Sequence, residues 1–179
     1  AASLAAEFSR PFGGEAQGLL AGTAHDIGKY SAAFQRRLTG DSKRVDHATA
    51  GAFECMGRGQ PFAAFAVAGH HGGLPDGGGR GDGPEAATFW GRINRAGRGG
   101  LEPYGAWVRE VSLPGGNLPF AKQNPGAGMF FTCMLYSCLV DADFLDTEAF
   151  MSGAARELFR LLEKEGAFHP ATLMYPAHR

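Results

Sequence analysis

Strand-forming residues are scarce in this chain, and no alternation of apolar and polar residues persists beyond a few positions. A half-buried sheet needs that period-two pattern, so its absence points to an all-α fold. Cysteine is sparse too: Cys55, Cys133 and Cys138 form neither a CxxC pair nor a disulfide framework. An odd count with no secretory leader points to a reducing cytoplasm. Cys133 and Cys138 lie in an apolar run and read as buried small hydrophobes. Neither sign of charge dominates, and the formal net charge is −1. A protein that wraps duplex nucleic acid would carry a basic surplus, so that class is disfavoured. No stretch approaches the roughly 20 apolar residues that span a bilayer, and no membrane partner is expected. The chain also has no phosphate-cradling glycine loop followed by Lys, and no Ser-His-Asp or Cys-His order.

What is abundant is glycine, with 28 residues gathered in clusters that punctuate the chain. Between the clusters, helical spacing predicts helices near 2–9, 16–38, 47–58, 61–71, 86–96, 103–110, 127–146 and 148–165. The length of 179 residues suits a single domain, expected over 1–165, with 166–179 as a tail or linker. The first residue is Ala and the opening segment already reads as the inside of a helix, which suggests that residues precede it. The longest irregular stretch follows Gly72, and loops of that length are usually functional or mobile.

Four histidines stand in telling places. His25 and Asp26 fall in an apolar segment whose buried stripe is Leu19, Leu20, Thr23, Ile27, Tyr30 and Phe34. An Asp inside a helix is costly when buried unpaired, and a metal would compensate for it; a His–Asp hydrogen bond with Lys29 as charge partner would do so as well. Gly22 and Gly28 flank the pair and suggest close approach by another helix or a ligand. His47 follows Asp46, the natural N-cap of a new helix. His70 and His71 end a helix opened by Pro61, and adjacent side chains about 100° apart reach one ion only at such a frayed end. Asp143 lies at helical offset from Leu135, Tyr136 and Leu139 and should face the core, whereas Asp141 and Asp146 should face solvent or cap a helix.

Imidazole and carboxylate together form the donor set of first-row transition metals. With Asp26 bridging, these residues can supply two ions roughly 3.5–4 Å apart, which lower the pKa of bound water and clamp an in-line phosphoryl displacement. Arginines gather at Arg36–Arg37, Arg92–Arg95–Arg98 and Arg156–Arg160, with Lys43–Arg44 between. Arg36, Arg37, Arg92 and Arg95 are the candidates for a basic path that carries nucleic acid toward the metals.

Four blocks carry a resemblance: HDIGKYSAAFQRRL, VDHATAGA, AGHHGGLPD and LVDADFLDTE. In this order they resemble the HD superfamily of metal-dependent phosphohydrolases, and most closely the HD nuclease domain of the type I CRISPR helicase-nuclease, over roughly residues 4 to 148. The resemblance implies an all-helical HD fold that cuts single-stranded DNA with one or two transition metals. Manganese, nickel, cobalt and iron lead that set, with magnesium and zinc behind. It makes His25 and Asp26 ligands, with Asp26 bridging. His47, His70 and His71 would take the second ion, and Asp143 would complete the first. Lys29 would stabilise charge building on phosphate. The implied partners are a helicase, fused or separate, and a crRNA-guided surveillance complex, with phage inhibitors as a further possibility. The family usually carries another His before the HD block, and this chain has none before His25. An HD enzyme acting on free or cyclic nucleotides, and a non-catalytic interaction module, are the alternatives.

Overall fold

The computed structural model describes residues 1–38, 40, 45–117 and 124–164, with backbone alone for 125 and from 154 onward. Lys43–Arg44, the side chains of Arg156 and Arg160, and the tail 166–179 lie outside the described residues. Among the described residues there are seven α-helices and no strand. They are α1 (Ala2–Ser9), α2 (Glu15–Ala24), α3 (Ala32–Leu38), α4 (Ala48–Gly57), α5 (Pro61–Gly69), α6 (Phe89–Gly97) and α7 (Pro125–Lys164). Two compact units divide the chain, Ala1–Asp143 and Phe144–Arg179. The first contains the core described below.

That core is built on small side chains. Leu20, Ala21 and Ala24 of α2 pack with Ala63, Ala64 and Val67 of α5, and with Ala52 and Cys55 of α4. Phe89 and Ile93 of α6 close one side, and Phe131, Leu135 and Leu139 of α7 another. Alanine and glycine let the helix axes approach closely. A Cβ on Gly22 would lie 2.6 Å from Cα of Ala2, and one on Gly28 would lie 2.7 Å from both Cα and the carbonyl carbon of His47. The flanking glycines are thus read correctly as close-approach positions: Gly22 receives α1 and Gly28 receives the backbone before α4. Gly28→Ala is expected to lower stability by about 1–3 kcal/mol through overpacking, visible as a fall in melting temperature.

Several expected boundaries move. The segment 16–38 is not one helix but three pieces: α2, a 3-10 turn Ile27–Tyr30, and α3. The break falls on His25 and Asp26, where Asp26 leaves helical geometry at φ −105° and ψ 4°. Ser31 is extended, at ψ 143°. Asp26 therefore escapes the helix interior that would disfavour it. The segment 103–110 is a short 3-10 turn, Gly105–Arg109. The expected helices 127–146 and 148–165 are the single helix α7, because no glycine or proline interrupts positions 129 to 152. Cys133 is exposed, whereas Cys138 and Cys55 are buried. Five helical positions rotate a side chain about 140° away, so Cys133 and Cys138 cannot share the core face.

Within α7, Gly126–Gly153 is long and apolar enough to cross a bilayer by length and composition, with 33% of its window buried. This corrects the expectation that no segment reaches that length. Packing of Phe131, Leu135, Leu139 and Ala142 in the core accounts for part of its apolarity.

The long glycine-rich stretch after Gly72 is tied down. Carbonyls of Asp76 and Gly77 accept the first N–H groups of α6, at 2.7 and 3.2 Å. Asn94 donates to the carbonyls of Arg80 and Asp82 at 3.0 and 2.8 Å. Helix α6 thus has its N-terminal donors satisfied by the loop as well as by its cap Thr88, which accepts from Gly91 N–H at 3.1 Å.

Candidate metal centre

Every candidate ligand sits at a helix end or break, except Asp143 on α7. His25 caps the end of α2 and Asp26 follows it. His47 immediately precedes α4. His70 and His71 follow α5. His70 and His71, at the end of α5, bring their ligand atoms within 4.8 Å of each other.

The six residues form two groups that share Asp26. Asp26, His47, His70 and His71 place one ligand atom each within 4.8 Å of one another, and so do His25, Asp26 and Asp143. His47 Nε2 and His70 Nε2 lie 3.6 and 4.0 Å from Asp26 Oδ1. His25 Nε2 lies 3.2 Å from Asp26 Oδ2 and 3.4 Å from Asp143 Oδ1. One carboxylate therefore offers an oxygen to each group. His47 and His71 face each other Nε2 to Nε2 at 2.7 Å, one donating to the other.

The donors fit a metal in chemistry and in orientation. His25 Nδ1 and His70 Nδ1 donate to the carbonyls of Gly22 and Val67, at 2.8 and 2.7 Å. A proton held there leaves each Nε2 lone pair turned toward the centre, the usual arrangement behind a ligating imidazole. Asp26 Oδ1 and His70 Nε2 are buried without a hydrogen-bond partner. Such orphans are costly unless something binds them, and both belong to the four-residue group. A His/Asp group able to hold a metal ion is thus present in the folded chain.

Electrostatics differ between the groups. Burial opposes charge on His25, but the Asp143 and Asp26 carboxylates outweigh it and raise its pKa to about 9. A proton there marks a spot between two carboxylates where a cation is favoured. Burial would raise Asp26, yet His25 and Lys29 overcome it and hold its carboxyl well below the usual range. His70 is pushed down to about 4, chiefly by burial, and His47 is lowered by burial and by His71. His70 and His47 are therefore kept neutral, as ligation requires.

Lys29 Nζ pairs with Asp26 Oδ2 at 2.6 Å. Arg37 lines, with Lys29, Phe34, Leu38, His47 and His71, a groove of about 720 Å³ beside the ligands. Arg36 and Arg95 border a separate cavity of about 250 Å³ with Ser31 and Tyr104. Arg95 and Arg92 both pair with Asp46, at 3.1 and 3.3 Å. The network of Asp46, Thr49 and Arg92 behind His47 escaped sequence reasoning. Asp46 was legible as a cap, and it does accept Thr49 N–H at 3.1 Å, but no local signal links it to a residue 46 positions later.

No protein-family model, curated protein or solved structure matches this chain.

Proposed function

We propose that this chain is an HD-type, metal-dependent phosphodiesterase that cuts single-stranded DNA. The observation that supports this best is the shared carboxylate: Asp26 turns one oxygen to His47 and His70 and the other to His25. A bound pair of divalent transition metals would supply Lewis acidity and a nucleophilic water at neutral pH. The residues of the chain do the rest. Asp26 fixes the spacing of the two groups, and the carbonyl-anchored His25 and His70 keep their Nε2 atoms aimed. Lys29, beside Asp26, is placed to meet negative charge on a phosphate. Water adds to phosphorus and one P–O ester bond breaks, leaving a phosphomonoester and a hydroxyl.

A strand suits the groove better than a free nucleotide does, because the groove is open, with Leu38 in its lining 68% exposed and the cationic Arg37 beside it. The four resemblance blocks carry the narrower reading: an endonuclease of type I CRISPR interference, acting in the cytoplasm with a helicase and a crRNA-guided surveillance complex. The test is to strip the protein of metal, add back manganese, nickel, cobalt or magnesium, and offer circular single-stranded DNA beside deoxynucleotides and cyclic nucleotides. Metal-dependent nicking of the circles is expected. Turnover of nucleotides alone would replace the strand by a small substrate, and bound metal with no turnover of either would favour a non-catalytic module.

A further inference from the structure

The three imidazoles of the four-residue group come from two helix ends, the start of α4 and the end of α5, where backbone groups lack helical partners. The loose carbonyls at the end of α5 are nonetheless matched. Val67 accepts from His70 Nδ1 at 2.7 Å, and Gly69 from the N–H groups of Gly72 and Gly73 at 3.0 and 2.8 Å. Ala68, two residues before His70, accepts from Arg92 Nη1 at 2.9 Å. The same guanidinium reaches the start of α4. Its Nε donates to Thr49 Oγ1 at 2.8 Å and its Nη2 to Asp46 Oδ1 at 3.3 Å. Thr49 in turn donates its hydroxyl to Asp46 Oδ2 at 2.6 Å. All three guanidinium nitrogens are engaged, and the side chain is only 18% exposed.

We propose that Arg92 is a positioning residue for the metal centre: from α6 it clamps the start of α4 to the end of α5, so that His47, His70 and His71 can share one ion. The inference rests on the metal-centre reading above. It gives Arg92 a different task from the nucleic-acid contact that its place in a basic cluster suggests. The planar fork suits the task, since three acceptors on two elements are met in fixed directions; a lysine has one nitrogen to offer them. Ligand distances tolerate only about 0.2 Å, so slippage between the two helix ends removes a ligand rather than stretching a bond.

The test titrates Co²⁺ into metal-stripped protein carrying Asp143→Ala, which leaves the four-residue group as the cobalt site. Affinity and visible absorption are compared with and without Arg92→Met, below each variant's melting temperature. Arg92→Met is expected to weaken cobalt binding about 10–100-fold and to alter the absorption of the bound ion. Arg92→Lys should fall between the two. Arg95→Ala, which loses the Asp46 pairing without a tie to Ala68, should stay within about threefold, well below that loss. A lowered melting temperature with unchanged cobalt affinity and spectrum would overturn the proposal, and so would equal losses in Arg92→Met and Arg95→Ala. If the Asp143→Ala protein with Arg92 intact takes up no cobalt, the metal-centre reading falls and this inference with it; failure of the Arg92 comparison alone leaves that reading standing.

Discussion

Asp26→Ala is expected to abolish binding of both metal ions and to lower single-stranded DNA cleavage by at least about a thousandfold, because without the ions the attacking water keeps a pKa near 15.7 rather than about 7. The reason is geometric. Asp26 Oδ1 faces His47 and His70, while Oδ2 faces His25. Among the described residues, no other belongs to both groups. Asp143→Ala touches only the three-residue group and should cost one ion, not two. Elemental analysis after dialysis separates the cases: none retained for Asp26→Ala and one for Asp143→Ala, with circular dichroism to establish that each variant is folded. One ion retained by Asp26→Ala would mean that His47, His70 and His71 suffice alone, and that the carboxylate does not bridge.

Stepwise loading is the second expected result, with the four-residue group filling first. Before an ion can use His25, the proton on that imidazole must leave. With a pKa of about 9, losing it at pH 7 costs on the order of 3 kcal/mol, a factor near a hundred. The four-residue group meets a smaller obstacle. Its His47–His71 contact of 2.7 Å must open, which breaks one hydrogen bond worth about 0.5–1.5 kcal/mol. It also gains partners for two orphaned atoms, Asp26 Oδ1 and His70 Nε2. Metal competes with the proton, so raising the pH toward 9 should tighten the second equivalent by up to about fiftyfold. The first equivalent should change much less over that range, since burial already keeps His70 and His47 neutral. Calorimetric titrations at pH 7 and pH 9 measure both steps. Equal affinities, or a first equivalent with the steeper pH dependence, would show that the proton on His25 does not govern loading.

Much of this centre could be read along the chain. Each ligand stands beside a local signal: a His-Asp pair bounded by Gly22 and Gly28, a His after the cap Asp46, a His-His pair before Gly72–Gly73, and an Asp in phase with Leu135 and Leu139. Those signals are short-range, because capping and helical phase are decided within one or two turns. The break at Asp26 was less legible. An apolar stripe continues through it, and just past it the backbone of His47 lies against Gly28, a contact between distant segments that no local signal shows. The role of Arg92 was illegible for the same reason. In sequence it is one of a run of arginines; in the folded chain its guanidinium lies between Asp46 and Ala68.

By itself, then, the sequence determined an all-helical chain, the helix ends at His47 and at His70–His71, and a donor set suited to a transition metal. Periodicity, caps and ligand chemistry are properties of a residue and its near neighbours. Tertiary structure alone decided that Asp26 divides its two oxygens between two groups, that two orphaned atoms meet in one of them, and that α6 holds the ends of α4 and α5 in register. Those facts depend on Ångström distances between segments tens of residues apart, and only the packing of the small-residue core sets such distances.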